Sequence, residues 1–344
     1  MNIRRLSSGL KASYRGSNVA RRVQHFESWD ARASSQSAAT DYDHVDTVKE
    51  YYDLCGEFMV FGWGESLHFS PLSALESPEE SAIRHQRLMI SRLELCRGMT
   101  VIDVGCGIGG PMRRVAREAG VRVVGINSNE IQLDRAKSLN AKAGLDHLVS
   151  CVACSFMDMS AVEDNRFDRG YAIESTCHAP DKAGAFAEIY RVLKPGALFW
   201  GQEMCMTDKF DPDDSRHRAI KRDLMHKIAL KDIETTDGVN RDLETAGFQV
   251  IEGVDRAVED DGGAVPWYRP LETRQGTPGS AMRRTPLGRK AFIGAARLAE
   301  ALGVFPKGSA RVVALMDRTA NAYVAGGAAG IFTPLYCFLA RKPL

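Results

Sequence analysis

Short, continuous apolar runs alternate with amphipathic stretches through the middle of this chain. The apolar runs fall at residues 100–104, 121–126, 148–153, 167–173, 197–203 and 248–254. Runs of that length with no polar alternation predict strands buried on both faces. Between them, residues 111–119, 129–143, 182–192 and 232–246 carry helical spacing, and Lys194-Pro195-Gly196 marks one sharp helix-to-strand turn. Regular alternation of this kind predicts an α/β fold, a doubly wound and mostly parallel sheet with helices on both faces. Ahead of the sheet, helices are expected over about 46–94 with turns at 62–71. Behind it, a Gly- and Pro-punctuated helical region fills 255–332 before a last buried strand at 335–340. Residues 319–339 carry no formal charge and are long enough to suggest a membrane span. Gly326, Gly327, Gly330 and Pro334 within them favour a helix followed by a buried strand.

The first strand runs into Gly105-Cys106-Gly107-Ile108-Gly109-Gly110-Pro111. Glycines remove the β-carbons that would block close backbone approach, and Pro111 suits a first helical turn. Such turns serve NAD, FAD and S-adenosylmethionine alike. Two residues favour S-adenosylmethionine. The second strand ends at the uncharged Asn127, where a dinucleotide site usually places an acid. Asp103, just before the turn, would repel a pyrophosphate but stabilise an ammonium or sulfonium; a turn-capping role is its other reading.

The chain has 344 residues, 44% of them hydrophobic, enough for a large core, and its net charge of +1 gives no electrostatic case for nucleic acid. Charge is uneven. Residues 1–26 hold six Lys or Arg and no acid, so 1–45 is expected to be a basic, disordered tail. A transit peptide, a tether to anionic lipid and a solvated tail without function all fit that composition. Eight scattered cysteines and no secretory pattern point to a reducing, intracellular setting. The cytoplasm or the face of the endoplasmic reticulum suits it, with mitochondrial targeting left open by the basic N-terminus. Cys151-Val152-Ala153-Cys154 lacks a second pair and reads as core packing; no metal is expected.

A wider set of motifs carries a resemblance. Tyr51-Tyr52-Asp53-Leu54, the run Phe61-Gly62-Trp63-Gly64-Glu65-Ser66-Leu67-His68-Phe69, the cofactor turn, and Tyr171-Ala172-Ile173-Glu174-Ser175-Thr176-Cys177-His178-Ala179-Pro180 stand in order. Met206-Thr207-Asp208-Lys209-Phe210, Pro266-Trp267-Tyr268, Leu287-Gly288-Arg289 and Phe332-Thr333-Pro334 extend the series. Together they resemble the sterol 24-C-methyltransferases from about residue 48 to residue 343. The likeness implies a Rossmann-like class I methyltransferase with a seven-stranded sheet: a helical cap over 46–98, a cofactor-binding core over 99–254, and a sterol-binding insertion with the final strand over 255–344.

The resemblance also implies methyl transfer from S-adenosylmethionine to a sterol side-chain alkene, most simply at carbon 24. An alkene nucleophile needs no activated side chain or metal. It needs alignment with the sulfonium methyl, a dry aromatic pocket for the resulting carbocation, and a weak base. Asp103, Gly105, Gly107, Gly109, Gly110, Asn127, Gln132, Ser155 and Phe156 are the candidates for the cofactor. Tyr51, Phe61, Trp63, Phe69, Trp267 and Tyr268 are the candidates for the sterol. Glu174 and His178, just past the fourth strand, are assigned to charge stabilisation and proton removal, with Glu65, His68 and Tyr268 in reserve. Three positions depart from the family pattern: Val60 in place of an acid, Cys154-Ser155-Phe156 in place of a Gly-Asp-Phe-like step, and residues 225–231, which read as continuous helix in place of acids and a Gly-x-Gly-x-Pro turn. A related enzyme acting on a prenylated phenol or unsaturated acyl chain, and a non-catalytic sterol- or cofactor-binding relative, are the alternative readings. Peripheral membrane contact and a homo-oligomer are left open.

Overall fold

The computed structural model describes residues 3–33, 44–74, 76–258, 264–272 and 285–344. Seven strands form one sheet: β1 (Thr100–Val104), β2 (Arg122–Asn127), β3 (Val149–Ala153), β4 (Phe167–Ile173), β5 (Leu193–Met206), β6 (Gln249–Asp255) and β7 (Phe332–Arg341). Their order is β3-β2-β1-β4-β5-β7-β6. All neighbours are parallel except β7, which runs antiparallel between β5 and β6. The order reverses at β1 and β4, where an open α/β sheet leaves a crevice at its carboxyl edge. Every residue of β7 but Arg341 is buried. Pro334, which has no N–H for the ladder, lies at the irregularity where β5 shifts register between Glu203 and Cys205.

Helices α4 (Pro78–Arg92), α5 (Gly110–Ala119), α6 (Glu130–Lys142), α7 (Lys182–Val192) and α9 (Thr236–Thr245) cover the sheet, while α8 (Ser215–Ile228) follows β5. Their starts follow the sequence. Ser77 and Glu80 form a reciprocal capping box before α4, and Asn129, Asp181, Asp214 and Thr235 cap α6 to α9. Two apolar clusters sandwich the sheet, one around Phe167, Phe186, Phe199 and Phe338, the other around Met89, Leu93, Met112 and Trp200. Helix α4 therefore packs into the sheet core itself.

A helical layer lies over the carboxyl edge. It comprises α1 (Ile3–Ser13), α2 (Val19–Ala33), α3 (His44–Trp63), the single turn α10 (Arg269–Glu272), α11 (Pro286–Ala301) and α12 (Ser309–Ala329). A two-residue pairing, Leu72–Ser73 with Ala264–Val265, ties the segment after α3 to the one before α10. The expected tail is thereby corrected: residues 3–33 form two helices. Leu6, Leu10, Tyr14, Val19, Val23 and Phe26 are buried against Leu54, Phe58 and Val312, and the Tyr14 hydroxyl donates to the Leu54 carbonyl. Residues 34–43 lie outside the described part, as do 259–263 and 273–284 of the late insertion.

Other expectations change in detail. Residues 225–231 are not continuous helix: α8 stops at Ile228 and Ala229 turns left-handed (φ 58°). The helix expected from 232 starts at Thr236, because Thr235 caps it. Lys194-Pro195-Gly196 lies within β5 as a bulge opposite β4. All eight cysteines are free thiols, and Cys151 and Cys154 pack into different apolar clusters. No described helix is long and apolar enough to cross a membrane, and no described group of His, Cys, Asp or Glu is arranged to hold a metal.

Candidate active site

A cavity of about 130 Å³ opens at the carboxyl ends of β1, β2 and β4, beneath α3 and the loop after it. Asp103, Gly105, Gly107, Asn127, Gln132, Ser155 and Phe156, seven of the cofactor candidates, line it. Gly107 has φ +53°, and a β-carbon built there meets nothing within 4 Å, so it would project into open space. Gly105 (φ +79°) is packed, with Ser175 2.3 Å from where its β-carbon would stand. Gly109 and Gly110 do not line the cavity. Gly109 is the left-handed residue before α5, and a β-carbon on Gly110 would come within 2.2 Å of the Glu65 carbonyl oxygen. The smallness of Gly110 lets the loop after α3 come down onto the turn.

Asp103 is buried, and its Oδ2 accepts the Tyr171 hydroxyl at 2.9 Å. Burial pushes its pKa up to about 7, against the lowering effect of that hydrogen bond. A buried acid with one neutral donor is suited to an ammonium. Asn127 Nδ2 donates to Gln132 Oε1 at 2.7 Å, and Ser155 Oγ accepts from the Met157 amide at 3.1 Å. These residues fit S-adenosylmethionine: an acid for the amino group, a glycine cradle for close approach, and neutral polar groups at the other end.

A second cavity, about 100 Å³ and mostly apolar, adjoins the first. Tyr52, Met59 and Trp63, at i, i+7 and i+11, share one face of α3 and line it with Phe69, Met204 and Tyr323. Tyr51 and Leu271 also reach it. Tyr52, Leu67, His68 and Glu174 line both cavities. A wider cleft of about 610 Å³ shares Trp63, Glu65, Phe69 and Leu271 with them and is bordered by Arg5.

Glu174 holds the junction. It follows β4 with a left-handed backbone (φ 50°), an uncommon conformation for a residue with a side chain and one that aims the carboxyl inward. Its Oε1 accepts the Phe69 amide at 2.6 Å and Gln202 Nε2 at 2.7 Å. Burial raises its pKa to about 8, with the Phe69 amide opposing and the Glu203 charge adding. His178 sits on the following turn, Thr176–His178. Its Nε2 lies 3.1 Å from the Tyr52 hydroxyl and its Nδ1 3.4 Å from the Ala229 carbonyl, so a proton on Nδ1 leaves Nε2 to accept from Tyr52. The turn is fixed from behind: Lys182 Nζ donates to Glu203 at 2.8 Å and to the Thr176 carbonyl at 3.0 Å.

Several assigned residues are engaged elsewhere. Glu65 lines the cofactor cavity, but its carboxylate pairs with Arg113 at 2.7 Å. His68 spends both nitrogens, Nδ1 2.7 Å from the Phe69 carbonyl and Nε2 2.8 Å from the Gln86 amide, and burial lowers its pKa. Phe61 stacks on Phe292 with centroids 5.5 Å apart, between α3 and α11 and away from the apolar cavity. Trp267 backs the pocket wall edge-on to Phe69 at 5.3 Å and lines the wider cleft but neither inner cavity. Tyr268 packs behind Trp267 and lines neither inner cavity.

Sequence reasoning missed Tyr52 and Tyr323 as lining groups, and Gln202. The i, i+7, i+11 spacing on α3 could have found Tyr52; nothing local marks Gln202, whose partners lie 28 and 117 residues away.

A family model described as "Methyltransferase domain" matches residues 102–201, and one described as "Sterol methyltransferase C-terminal" matches residues 280–344. The chain is 41% identical over 338 residues to cycloartenol-C-24-methyltransferase of Arabidopsis thaliana, covering 98% of this chain and 99% of the relative. It is 36% identical over 346 residues to sterol 24-C-methyltransferase ERG6 of Saccharomyces cerevisiae, covering 98% and 90%. Among solved structures, the cyclopropane synthase MmaA2 of Mycobacterium tuberculosis superposes with a TM-score of 0.65 at 17% identity, over 88% of this chain and all of that one. That last likeness is one of fold.

Proposed function

The chain belongs to the sterol 24-C-methyltransferase family, and from that premise we propose how its two joined cavities carry out the reaction. It is an S-adenosylmethionine-dependent enzyme that methylates the side-chain alkene of a sterol. The cofactor supplies an electrophilic methyl on a sulfonium. Asp103 would take the amino group, and the Gly105–Gly107 turn would admit the cofactor backbone. Asn127, Gln132 and Ser155, which line the other end of the cavity with Phe156, would hold the nucleoside end.

The observation that carries the reading is the shared wall. Tyr52 and Glu174 line both cavities, so a methyl held in the polar cavity would face an alkene lodged in the apolar one. The π electrons form the new carbon–carbon bond as the carbon–sulfur bond breaks, leaving S-adenosylhomocysteine and a carbocation. Glu174, whose raised pKa falls when a cation stands beside it, stabilises that charge as the carboxylate, strongly because the site excludes water, and Tyr52, Trp63 and Tyr323 present aromatic faces that do not trap it. A neighbouring carbon then loses a proton, whose bonding pair becomes the product double bond. Tyr52 receives it as it passes its own proton to His178 Nε2, 3.1 Å away.

Filling the apolar cavity tests this division. Ala320 lines that cavity and not the cofactor cavity, so Ala320→Phe should abolish sterol turnover and leave S-adenosylmethionine affinity within about twofold. Sterol turnover that survives the filling, or lost cofactor affinity with intact turnover, would refute it. Peripheral membrane contact belongs to the same reading, because the substrate resides in lipid.

A further inference from the structure

Helix α11 turns an apolar face to solvent. Leu287, Ala291, Gly294, Leu298, Ala301 and Leu302 are all exposed, the three leucines by 60%, 61% and 69%. At 100° per residue they fall within an arc of roughly 100°, opposite the buried Arg289 and Ala296. This inverts the usual surface helix, whose polar face is outward. The patch continues beyond the helix. Val304 is exposed, its carbonyl accepts Ser7 Oγ of α1 at 2.6 Å, and the exposed Ile3 stands one turn before Ser7. Arg4, Lys290, Arg297 and Lys307 are exposed at the rim, and the one acid of α11, Glu300, points away and accepts the Ala310 amide.

We infer that this face docks on a lipid bilayer carrying anionic headgroups. Leucines spaced by Ala and Gly enter the headgroup–acyl boundary, and the flanking cations meet phosphate and carboxylate groups. A second copy fits less well: a two-fold contact through the same face would bring Lys290 and Arg297 toward their like-charged counterparts. Helix α11 also stands between this face and the site. Arg289, on the other side of α11, donates to the carbonyl of Leu271, which lines both the apolar cavity and the wider cleft, and Arg5 of α1 borders that cleft. Docking there sets the cleft mouth beside the bilayer. The inference rests on the lipid substrate of the proposed function.

Flotation with phosphatidylcholine vesicles, with and without phosphatidylserine, tests it on the full chain. Wild type should float with the serine-containing vesicles, less so at high salt. Leu298→Asp with Leu302→Asp, and Lys290→Glu with Arg297→Glu, should each reduce partitioning at least tenfold. Turnover of sterol from vesicles should fall with it, while turnover from detergent micelles stays at the wild-type rate. Failure of wild type to float, or undiminished flotation of the leucine double variant, would overturn the inference. So would a dimer, seen by light scattering, that the same variant dissolves, since the face would then belong to a second copy. Absent micellar turnover in wild type would count against the proposed function and leave the flotation result to stand alone.

Discussion

The side-chain amide of Gln202 donates to Oε1 of Glu174 at 2.7 Å, the oxygen that also takes the Phe69 amide. Two donors on one oxygen favour the carboxylate and leave the other oxygen to the cavities. The amide cannot flip freely, because Gln202 Oε1 lies 2.7 Å from His85 Nε2 and Nε2 of Gln202 also donates to the Pro334 carbonyl at 3.0 Å. Burial lowers the His85 pKa to about 3, so the ring is neutral and its Nε2 proton points at Gln202.

Gln202→Leu should therefore raise the Glu174 pKa further. The acidic limb of the pH profile of kcat/KM for sterol, at saturating cofactor, should move up by about one unit, equivalent to roughly 1.4 kcal/mol. His85→Phe should shift it the same way by less. A lowered melting temperature with an unmoved limb would reduce both residues to packing.

How far the sequence spoke for itself can be judged from such pairs. The glycine turn, the sheet and the placement of Asp103, Glu174 and His178 were legible because each is a local pattern tied to one strand end. The N-terminal helices were misread because six cations outweighed a spacing that was there to see: Leu6, Leu10 and Tyr14 recur every four residues. Phe61 was assigned to the sterol because nothing local reveals its partner Phe292, 231 residues on. Glu65 and His68 looked free for catalysis until their engagement with Arg113 and Gln86 was visible.

Glu174→Gln keeps the shape and removes the charge, so turnover should fall on the order of 100-fold with little change in S-adenosylmethionine affinity. His178→Ala and Tyr52→Phe should instead change the fate of the cation. Products with a displaced double bond, or alcohols from captured water, should rise together in both variants, as read by mass spectrometry. Wild-type product ratios in both would remove the Tyr52–His178 pair from proton transfer.

Cofactor binding should release a proton. Asp103 titrates near 7 without an ammonium beside it, and the ammonium favours its ionised form. Calorimetry in buffers of different ionisation enthalpy should show that release near pH 6.5, and Asp103→Asn should lose both the release and most of the affinity. Gly107→Val should abolish binding in a soluble protein, since φ +53° disfavours a branched residue and its side chain would fill the open space that the cofactor needs. Unchanged affinity in that variant would contradict the site.

Stability should fall as pH rises. Asp103 and Glu174 hold protons in the folded state that the unfolded chain gives up, between 3.8 and about 7 for Asp103 and between 4.5 and about 8 for Glu174. Their contribution is complete below those windows and lost across them. His85 acts oppositely, since the unfolded chain protonates it below 6.5, so its slope ends there. Between pH 6.5 and 8 the decline should be clearest by melting temperature, and Glu174→Gln should flatten it. An equal decline in that variant would place the charge elsewhere.

The central claim is methyl transfer to a sterol alkene, and one incubation addresses it: purified protein, labelled S-adenosylmethionine, and paired sterols that differ only in the side-chain double bond, with products identified by mass spectrometry. The alkene-bearing sterol should take up label in a product heavier by one CH₂, and its saturated partner should bind and stay unlabelled, because only the π bond supplies electrons. Label in the saturated sterol, or in neither while cofactor binding is intact, would contradict the account.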